Sequence, residues 1–230
     1  EYSASRLANL NEWLQEIQSN LKSAFVSWLS RGSVYGYDAK SCREKPAHWA
    51  YGNTYSVALY QHAISRQREL LSKALKYPLP KSPPDYGVNI PRQLASKIEL
   101  PDQYVVFVHN ASWETKLWPI QSWQALANRA AEAGYSVLLP CGSENELIRA
   151  KEIASHCPAA LALPRMSLNE MAGILSNAQA AVCSDTGLSH MAAVASTPSI
   201  TLSAVTYTIL IGTVGEKQLH IIAGNNKAAD

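Results

Sequence analysis

Val182-Cys183-Ser184-Asp185-Thr186-Gly187-Leu188-Ser189-His190 reads as the end of a strand, a tight polar turn and the start of a helix. Apolar residues 180–183 supply the strand, and residues 188–195 run on in helical fashion. Such a junction leaves backbone N–H groups and the positive end of a helix dipole at the top of a parallel sheet, where a phosphate can sit. Two readings stand side by side. In one, Asp185, Thr186 and His190 surround a bound anion; in the other, Asp185 caps the helix and His190 is a polar side chain on its surface.

The chain on either side of the turn alternates strand and helix. Tyr104-Val105-Val106-Phe107-Val108 is a continuous apolar run of the kind found in buried parallel strands. After Trp118-Pro119 a helix is expected over 120–133, closed by Gly134, then a strand at 136–139 and a helix at 144–156. A strand at 160–163 precedes a helix at 167–177, which Ser167 and Glu170 open as a capping box. Strands at 180–183 and 199–202 complete five β units, so a doubly wound α/β sheet is expected, with ligands beyond the carboxyl ends of its strands.

The first part of the chain is organised differently. Leu7, Leu10, Trp13, Leu14 and Ile17 recur at helical spacing and predict a helix over 3–19; a second is expected over 21–29 and a third over 63–75, with Arg66, Arg68 and Lys73 exposed. Residues 33–38 read as a strand and turn, and 41–46 as an exposed loop. Four prolines between Pro78 and Pro84 exclude helix or central strand, which places a linker near 78–100.

Composition narrows the function classes. The chain has 230 residues, 47% of them hydrophobic and 17% charged, which describes a globular protein. No apolar run approaches the ~20 residues of a membrane span, and Glu1-Tyr2-Ser3 does not open a signal peptide, so the chain is expected to stay where it is made. Cys42, Cys141, Cys157 and Cys183 lack metal-ligand spacing and are expected to be reduced, buried thiols. Residues 1–98 carry 13 Lys/Arg against 7 Asp/Glu, whereas 99–230 carry 7 against 11. Either the basic half meets something anionic or its charges are an ordinary solvated surface; no nucleic-acid motif is present.

The loops after the strands list the candidate site: residues 109–116 after the first, 140–143 with Glu146 after the second, 164–166 after the third and 184–187 after the fourth. Lys116 and the Ser112 hydroxyl suit a diphosphate, Glu146 a ribose diol, and Met166 the face of a base; each is equally a common surface residue. No G-x-G-x-x-G, G-x-x-x-x-G-K-[ST] or G-x-S-x-G is present, which argues against dinucleotide dehydrogenases, P-loop nucleotidases and α/β-hydrolases.

Lys116-Leu117-Trp118-Pro119, followed by Ser184-Asp185-Thr186-Gly187-Leu188-Ser189-His190, resembles the lipopolysaccharide heptosyltransferases. The likeness extends through Leu21-Lys22-Ser23-Ala24, Tyr35-Gly36-Tyr37-Asp38, Arg43-Glu44, Gln61-His62-Ala63 and Leu163-Pro164-Arg165-Met166-Ser167-Leu168, so it covers residues 21 to about 217. It implies a GT-B architecture of two Rossmann-like domains facing across a cleft. Residues 1–90 would form an acceptor-binding domain, incomplete in this sequence, and 101–230 the donor domain. The reaction implied is inverting, needs no metal or cofactor, and moves heptose from ADP-heptose to the Kdo residue of lipid A. It would take place at the cytoplasmic face of the inner membrane of a Gram-negative bacterium, through peripheral contact and without nucleic acid. By position in the family motifs, Ala111, Ser112 and Lys116 fall at the diphosphate, Glu146 at the ribose and Met166 at the adenine. Asp185, Thr186, Gly187 and His190 fall around diphosphate and heptose, Lys116 and Asp185 being the catalytic pair, and Lys22 and Arg43 match acceptor-side positions.

The family's general base comes from an apolar strand and Ser-x-Gly-Asp loop that this sequence does not contain, and Asp38 lies in a different motif. A strand expected just before Leu21 is likewise not evident, and Ser203-Ala204-Val205-Thr206 stands where a Gly-Pro turn is usual. Another GT-B sugar-nucleotide enzyme, such as an epimerase, and a non-catalytic nucleotide-sugar-binding module are the alternatives.

Overall fold

The computed structural model describes residues 13–30, 32–90, 99–111, 113–203 and 208–222. The chain forms two compact units, residues 1–83 with 209–211 and residues 84–208 with 212–230.

The first unit is built on a three-stranded parallel sheet, β1 (Trp13–Gln15), β2 (Ser33–Tyr37) and β3 (Asn53–Tyr55), in the order β1-β2-β3. The helix expected over 3–19 is corrected where it can be checked: Trp13–Gln15 pairs in parallel with Ser33–Tyr35, so a strand does precede Leu21, while residues 1–12 lie outside the described part. The helical spacing of Trp13 and Leu14 is outweighed there by ladder hydrogen bonds to a strand twenty residues on. After β1, Glu16 is buried. Its carboxylate accepts from the backbone N–H groups of Gln18 (2.7 Å) and Ser19 (2.9 Å) and from the Tyr51 hydroxyl, which pushes the Tyr51 phenol well above its usual range behind the larger effect of burial. Helix α1 (Leu21–Trp28) is capped by Asn20, whose side chain accepts from Ser23 N, and α2 (Ala63–Leu75) by His62.

Two expectations for this unit need correction. The stretch 41–46 is not wholly an exposed loop: Ser41 and Cys42 are buried, and a 3-10 helix begins at Lys45 and runs to Ala50 with Pro46 in its first turn. Arg66 is not an exposed helix-surface charge either. Its guanidinium lies 4.6 Å from the Tyr37 ring centroid and donates to the Ser41 carbonyl at 2.6 Å, because the Tyr37 face leaves it a partly dry, electron-rich seat.

The second unit is a six-stranded, all-parallel sheet in the order β6-β5-β4-β7-β8-β9. Its strands are β4 (Tyr104–Val108), β5 (Ser136–Cys141), β6 (Ala160–Arg165), β7 (Ala180–Ser184), β8 (Ser199–Ser203) and β9 (Gln218–Ile222). Helices α3 (Ile120–Glu132), α4 (Glu144–Ala154), α5 (Leu168–Asn177) and α6 (Gly187–Val194) connect them; a short α7 (Thr208–Ile211) comes after β8 in the chain, its residues 209–211 belonging to the first unit. Alternate residues of β4 serve the two faces. Val106 and Val108 join Met171, Ile174, Leu175 and Ala192 of α5 and α6, while Phe107 joins Trp123, Ala127, Ala150 and Ile153 of α3 and α4. A strand buried on both sides needs apolar residues throughout, which is why residues 104–108 show no polar alternation.

Punctuation residues set the joints. Ala133 and Gly134, the latter at φ 87°, end α3. Ser167 and Glu170 form the capping box of α5. Pro140 stands inside β5, between the strand's two neighbours, at the point where the register to β6 shifts between Leu139 and Cys141, so the missing N–H coincides with the irregularity. Among the described residues no helix is long and apolar enough to cross a membrane, and all four cysteines are buried and free.

Candidate functional site

Strands β4 and β7 are neighbours, with Val108 opposite Cys183, yet their connections run to opposite wings of the sheet. Loops leaving them diverge and open a crevice, the usual ligand position in an open α/β sheet. From the β4 side comes the segment 109–119. Trp118 stacks edge-on to the fully buried Trp123 (centroids 5.1 Å apart, 85°), and Pro119 opens α3 as its N-cap. Those two residues anchor the loop, and the 3-10 turn Glu114–Lys116 above them presents Lys116 to the β7 side. There Lys116 Nζ donates to Asp185 Oδ2 at 2.7 Å, both side chains being largely buried. The Trp113 ring flanks the same ammonium, with its centroid 5.7 Å away.

This contact, with the capping of α6, removes one part of the second reading: Asp185 is not the helix cap. The cap of α6 is Thr186, whose hydroxyl accepts from Leu188 N at 3.3 Å, not Asp185. Gly187 is the first helical residue; a Cβ there would meet nothing within 4 Å, so the helix entrance is sterically open. His190 is exposed one turn further along α6.

The remaining candidates fall on the other wing. The Glu146 carboxylate accepts from Gly142 N at 2.6 Å, and its backbone N–H donates to the Ser143 cap of α4. Met166 follows β6 directly and is half-buried against the α5 side of the core. Ala111 is half-buried after β4, and Ser112 lies outside the described residues. Since all strands are parallel, Met166, Glu146, Lys116 and Asp185 follow one another along a single sheet edge in the order of β6, β5, β4 and β7. At roughly 4.8 Å between strands that edge spans about 14 Å. In the first unit Lys22 and Arg43 are exposed on segments tied together by Leu21 N to Glu44 Oε2 (2.8 Å) and Arg43 N to Ser19 Oγ (3.0 Å). Among the described residues no group of three His, Cys, Asp or Glu side chains is arranged to hold a metal ion.

Three neighbours of the site were given no role from the sequence. His109, the residue after β4, is fully buried; burial, and after it the Arg149 guanidinium, lower its pKa to about 4, so the imidazole is neutral. Arg149 donates from α4 to the Trp118 carbonyl at 2.5 Å and so holds the Lys116 loop from behind. The Ser184 hydroxyl, at the end of β7, is fully buried and has no partner among the described residues. A histidine directly after a wholly apolar strand was the available signal for the first; Arg149 depends on a pairing across the fold, and the burial of Ser184 on the packing around β7.

A sheet whose order reverses at β4 and β7, with a lysine–carboxylate pair at that point, defines a doubly wound α/β protein, and the heptosyltransferase structures it matches make it of the GT-B type. The chain belongs to glycosyltransferase family 9 (heptosyltransferase), whose family model matches residues 12–230. It is 41% identical over 207 residues to lipopolysaccharide heptosyltransferase 1 of Pseudomonas aeruginosa, covering 90% of this chain and 58% of that protein. With the protein of the same name from Salmonella typhimurium it shares 37% identity over 213 residues, 92% of this chain and 67% of that one. The chain thus spans somewhat more than half the length of the Pseudomonas relative. Among solved structures, E. coli heptosyltransferase WaaC with ADP superposes with a TM-score of 0.83 at 32% identity, over 97% of this chain and 73% of that one.

Proposed function

We infer that the chain is part of an inverting heptosyltransferase that moves heptose from ADP-heptose to the Kdo residue of lipid A in lipopolysaccharide inner-core synthesis. The observation that carries the reading is the order of side chains along the edge of the second unit. Met166 would pack on adenine, Glu146 would bind the ribose, Lys116 with Ala111 and Ser112 would meet the diphosphate, and Asp185, Thr186, Gly187 and His190 would surround diphosphate and heptose. The edge has the reach of an extended nucleoside diphosphate sugar. Relatives named lipopolysaccharide heptosyltransferase 1 and a related structure titled with ADP-2-deoxy-2-fluoro heptose support the donor class.

In this reading Lys116 stabilises the charge that grows on the ADP leaving group, and Asp185 keeps the ammonium pointed at it. The open first turn of α6 adds its dipole. Residues 1–90 would serve the acceptor, with Lys22 and Arg43 facing its phosphate and carboxylate groups, and the protein would meet the cytoplasmic face of the inner membrane peripherally. The test is calorimetric titration with ADP and ADP-heptose, followed by a transfer assay on Kdo-bearing lipid A. Micromolar donor binding is expected; no binding at millimolar ligand would overturn the reading, and donor turnover that leaves the acceptor unmodified would favour an epimerase.

A further inference from the structure

Lys116 has a second guide besides the Asp185 carboxylate. The lysine ends the 3-10 turn Glu114–Lys116, whose N-cap is Trp113. About three residues complete each turn of a 3-10 helix, so side chains at positions i and i+3 stand one above the other. Trp113 and Lys116 have that spacing. The backbone N–H of Lys116 donates to the Trp113 carbonyl at 2.9 Å, and the Trp113 ring centroid lies 5.7 Å from Lys116 Nζ. At that distance a cation is attracted by the electron-rich face of an indole.

The local fold does not account for a tryptophan at this place. Residues preferred at a helix cap accept a hydrogen bond through a short polar side chain, and Trp113 makes no such bond. Nor does its ring fill the core: Trp118, five residues on, packs against Trp123 in the cluster under α3 and α4, whereas Trp113 is exposed. What the ring faces is the ammonium. A lysine is a point charge on a flexible stem, and one carboxylate oxygen fixes its distance but leaves it free to swing about that oxygen. A ring on a second side removes the swing. Of the three N–H groups of the ammonium one is engaged by Asp185 and the ring covers another side, which leaves one direction for the oxygen of an incoming anion.

We propose that Trp113 is a positioning residue for Lys116: its indole face and the Asp185 carboxylate together fix the ammonium in the direction from which it meets the diphosphate of the donor. The proposal rests on the reading of this loop as the one that serves the diphosphate. Trp113 acts through the lysine and not by touching the ligand, so its effect on binding vanishes when the lysine is removed.

The experiment is calorimetric titration of the 230-residue chain with ADP, on wild type, Trp113→Leu, Trp113→Phe, Lys116→Ala and the double variant Trp113→Leu with Lys116→Ala. Trp113→Leu is expected to weaken ADP binding by roughly fivefold, and Trp113→Phe, which keeps an aromatic face, by about twofold or less. In the Lys116→Ala background the change to leucine should have no effect. Trp113 is exposed, so the variants should keep the far-ultraviolet circular dichroism of the wild type. Wild-type affinity in Trp113→Leu overturns the proposal. So does a loss of the same size with and without the lysine, which would put the indole on the ligand itself. A second readout needs no nucleotide: reductive methylation with carbon-13-labelled formaldehyde marks the lysines, and Lys116→Arg identifies the Lys116 methyl signal. The indole ring current is expected to move that signal upfield of the other lysines, and Trp113→Leu to return it; a signal that the leucine variant leaves in place overturns the proposal. Failure of the wild type to bind ADP removes the diphosphate reading, whereas the methyl signal supports or overturns the hold of Trp113 on Lys116 by itself.

Discussion

The Lys116 ammonium stands 2.7 Å from the Asp185 carboxylate, although the two residues are carried by loops from different strands. Each side chain is oriented by the other, so the two should not contribute independently. In the proposed reading, Lys116→Ala would leave a carboxylate facing the donor diphosphate, whereas Lys116→Ala with Asp185→Ala removes attraction and repulsion together. ADP affinity is expected to fall at least roughly tenfold in Lys116→Ala, and to recover in part in the double variant. Calorimetry on the four members of the cycle measures this, and additive losses would count against a coupled pair. In the complete enzyme each single alanine variant should cut turnover by at least roughly tenfold.

His109 makes stability depend on pH. Its folded-state pKa of about 4 lies below the ordinary 6.5, so the unfolded chain binds the proton more readily. The stabilisation is complete above about pH 6.5 and is lost as pH falls towards 4. Between pH 8 and pH 5 the loss amounts to about 2 kcal/mol. Urea titrations at these two pH values, run on wild type and His109→Asn, should show the wild type losing more by that difference; equal losses would place the proton elsewhere.

Arg149 reaches the Trp118 carbonyl at 2.5 Å from α4. Arg149→Ala should cost about 1–3 kcal/mol of stability for the lost charged hydrogen bond. It should also weaken ADP binding, because the Lys116 turn loses its rear support. Arg149→Lys, which can still donate one bond, should recover part of the affinity. Thermal melts and calorimetry separate the two effects, and an unchanged ADP affinity in the alanine variant would confine Arg149 to stability.

Gly36 in β2 is a packing requirement, since a Cβ there would lie 2.4 Å from the nearest Tyr51 ring atom. Gly36→Ala must displace the ring whose hydroxyl closes the buried Glu16 carboxylate, and a loss of about 2–3 kcal/mol is expected. Two-wavelength denaturation should show the first unit melting earlier while ADP affinity is retained.

Local chemistry was legible wherever the deciding partners are close in the chain. The run 104–108, the Ser167–Glu170 capping box and Gly134 all act within a few residues, and the second unit follows the strand and helix pattern they predict. Trp13–Gln15 was misread because its helical spacing is local evidence, while its pairing with Ser33–Tyr35 is not. Arg66 looked like a solvated charge because the Tyr37 ring and the Ser41 carbonyl that hold it lie 29 and 25 residues away. The Asp185 turn illustrates both cases: strand, turn and helix could be read from nine residues, but whether Asp185 caps a helix or pairs with Lys116 depended on the packing of the β4 loop.

The register that puts Val108 opposite Cys183 joins strands that are seventy-odd residues apart in sequence. Such distant parallel pairings close large loops, and loop closure of that size slows folding. The strand–helix–strand units on either wing join segments close in the chain, whereas the β4–β7 seam brackets everything wound between its strands. The lysine–aspartate contact sits at the end of that seam. If the site takes an anion, as proposed, that competence would be acquired late in maturation: a folding intermediate with both wings formed and the seam open would be well structured yet lack the lysine–aspartate pair.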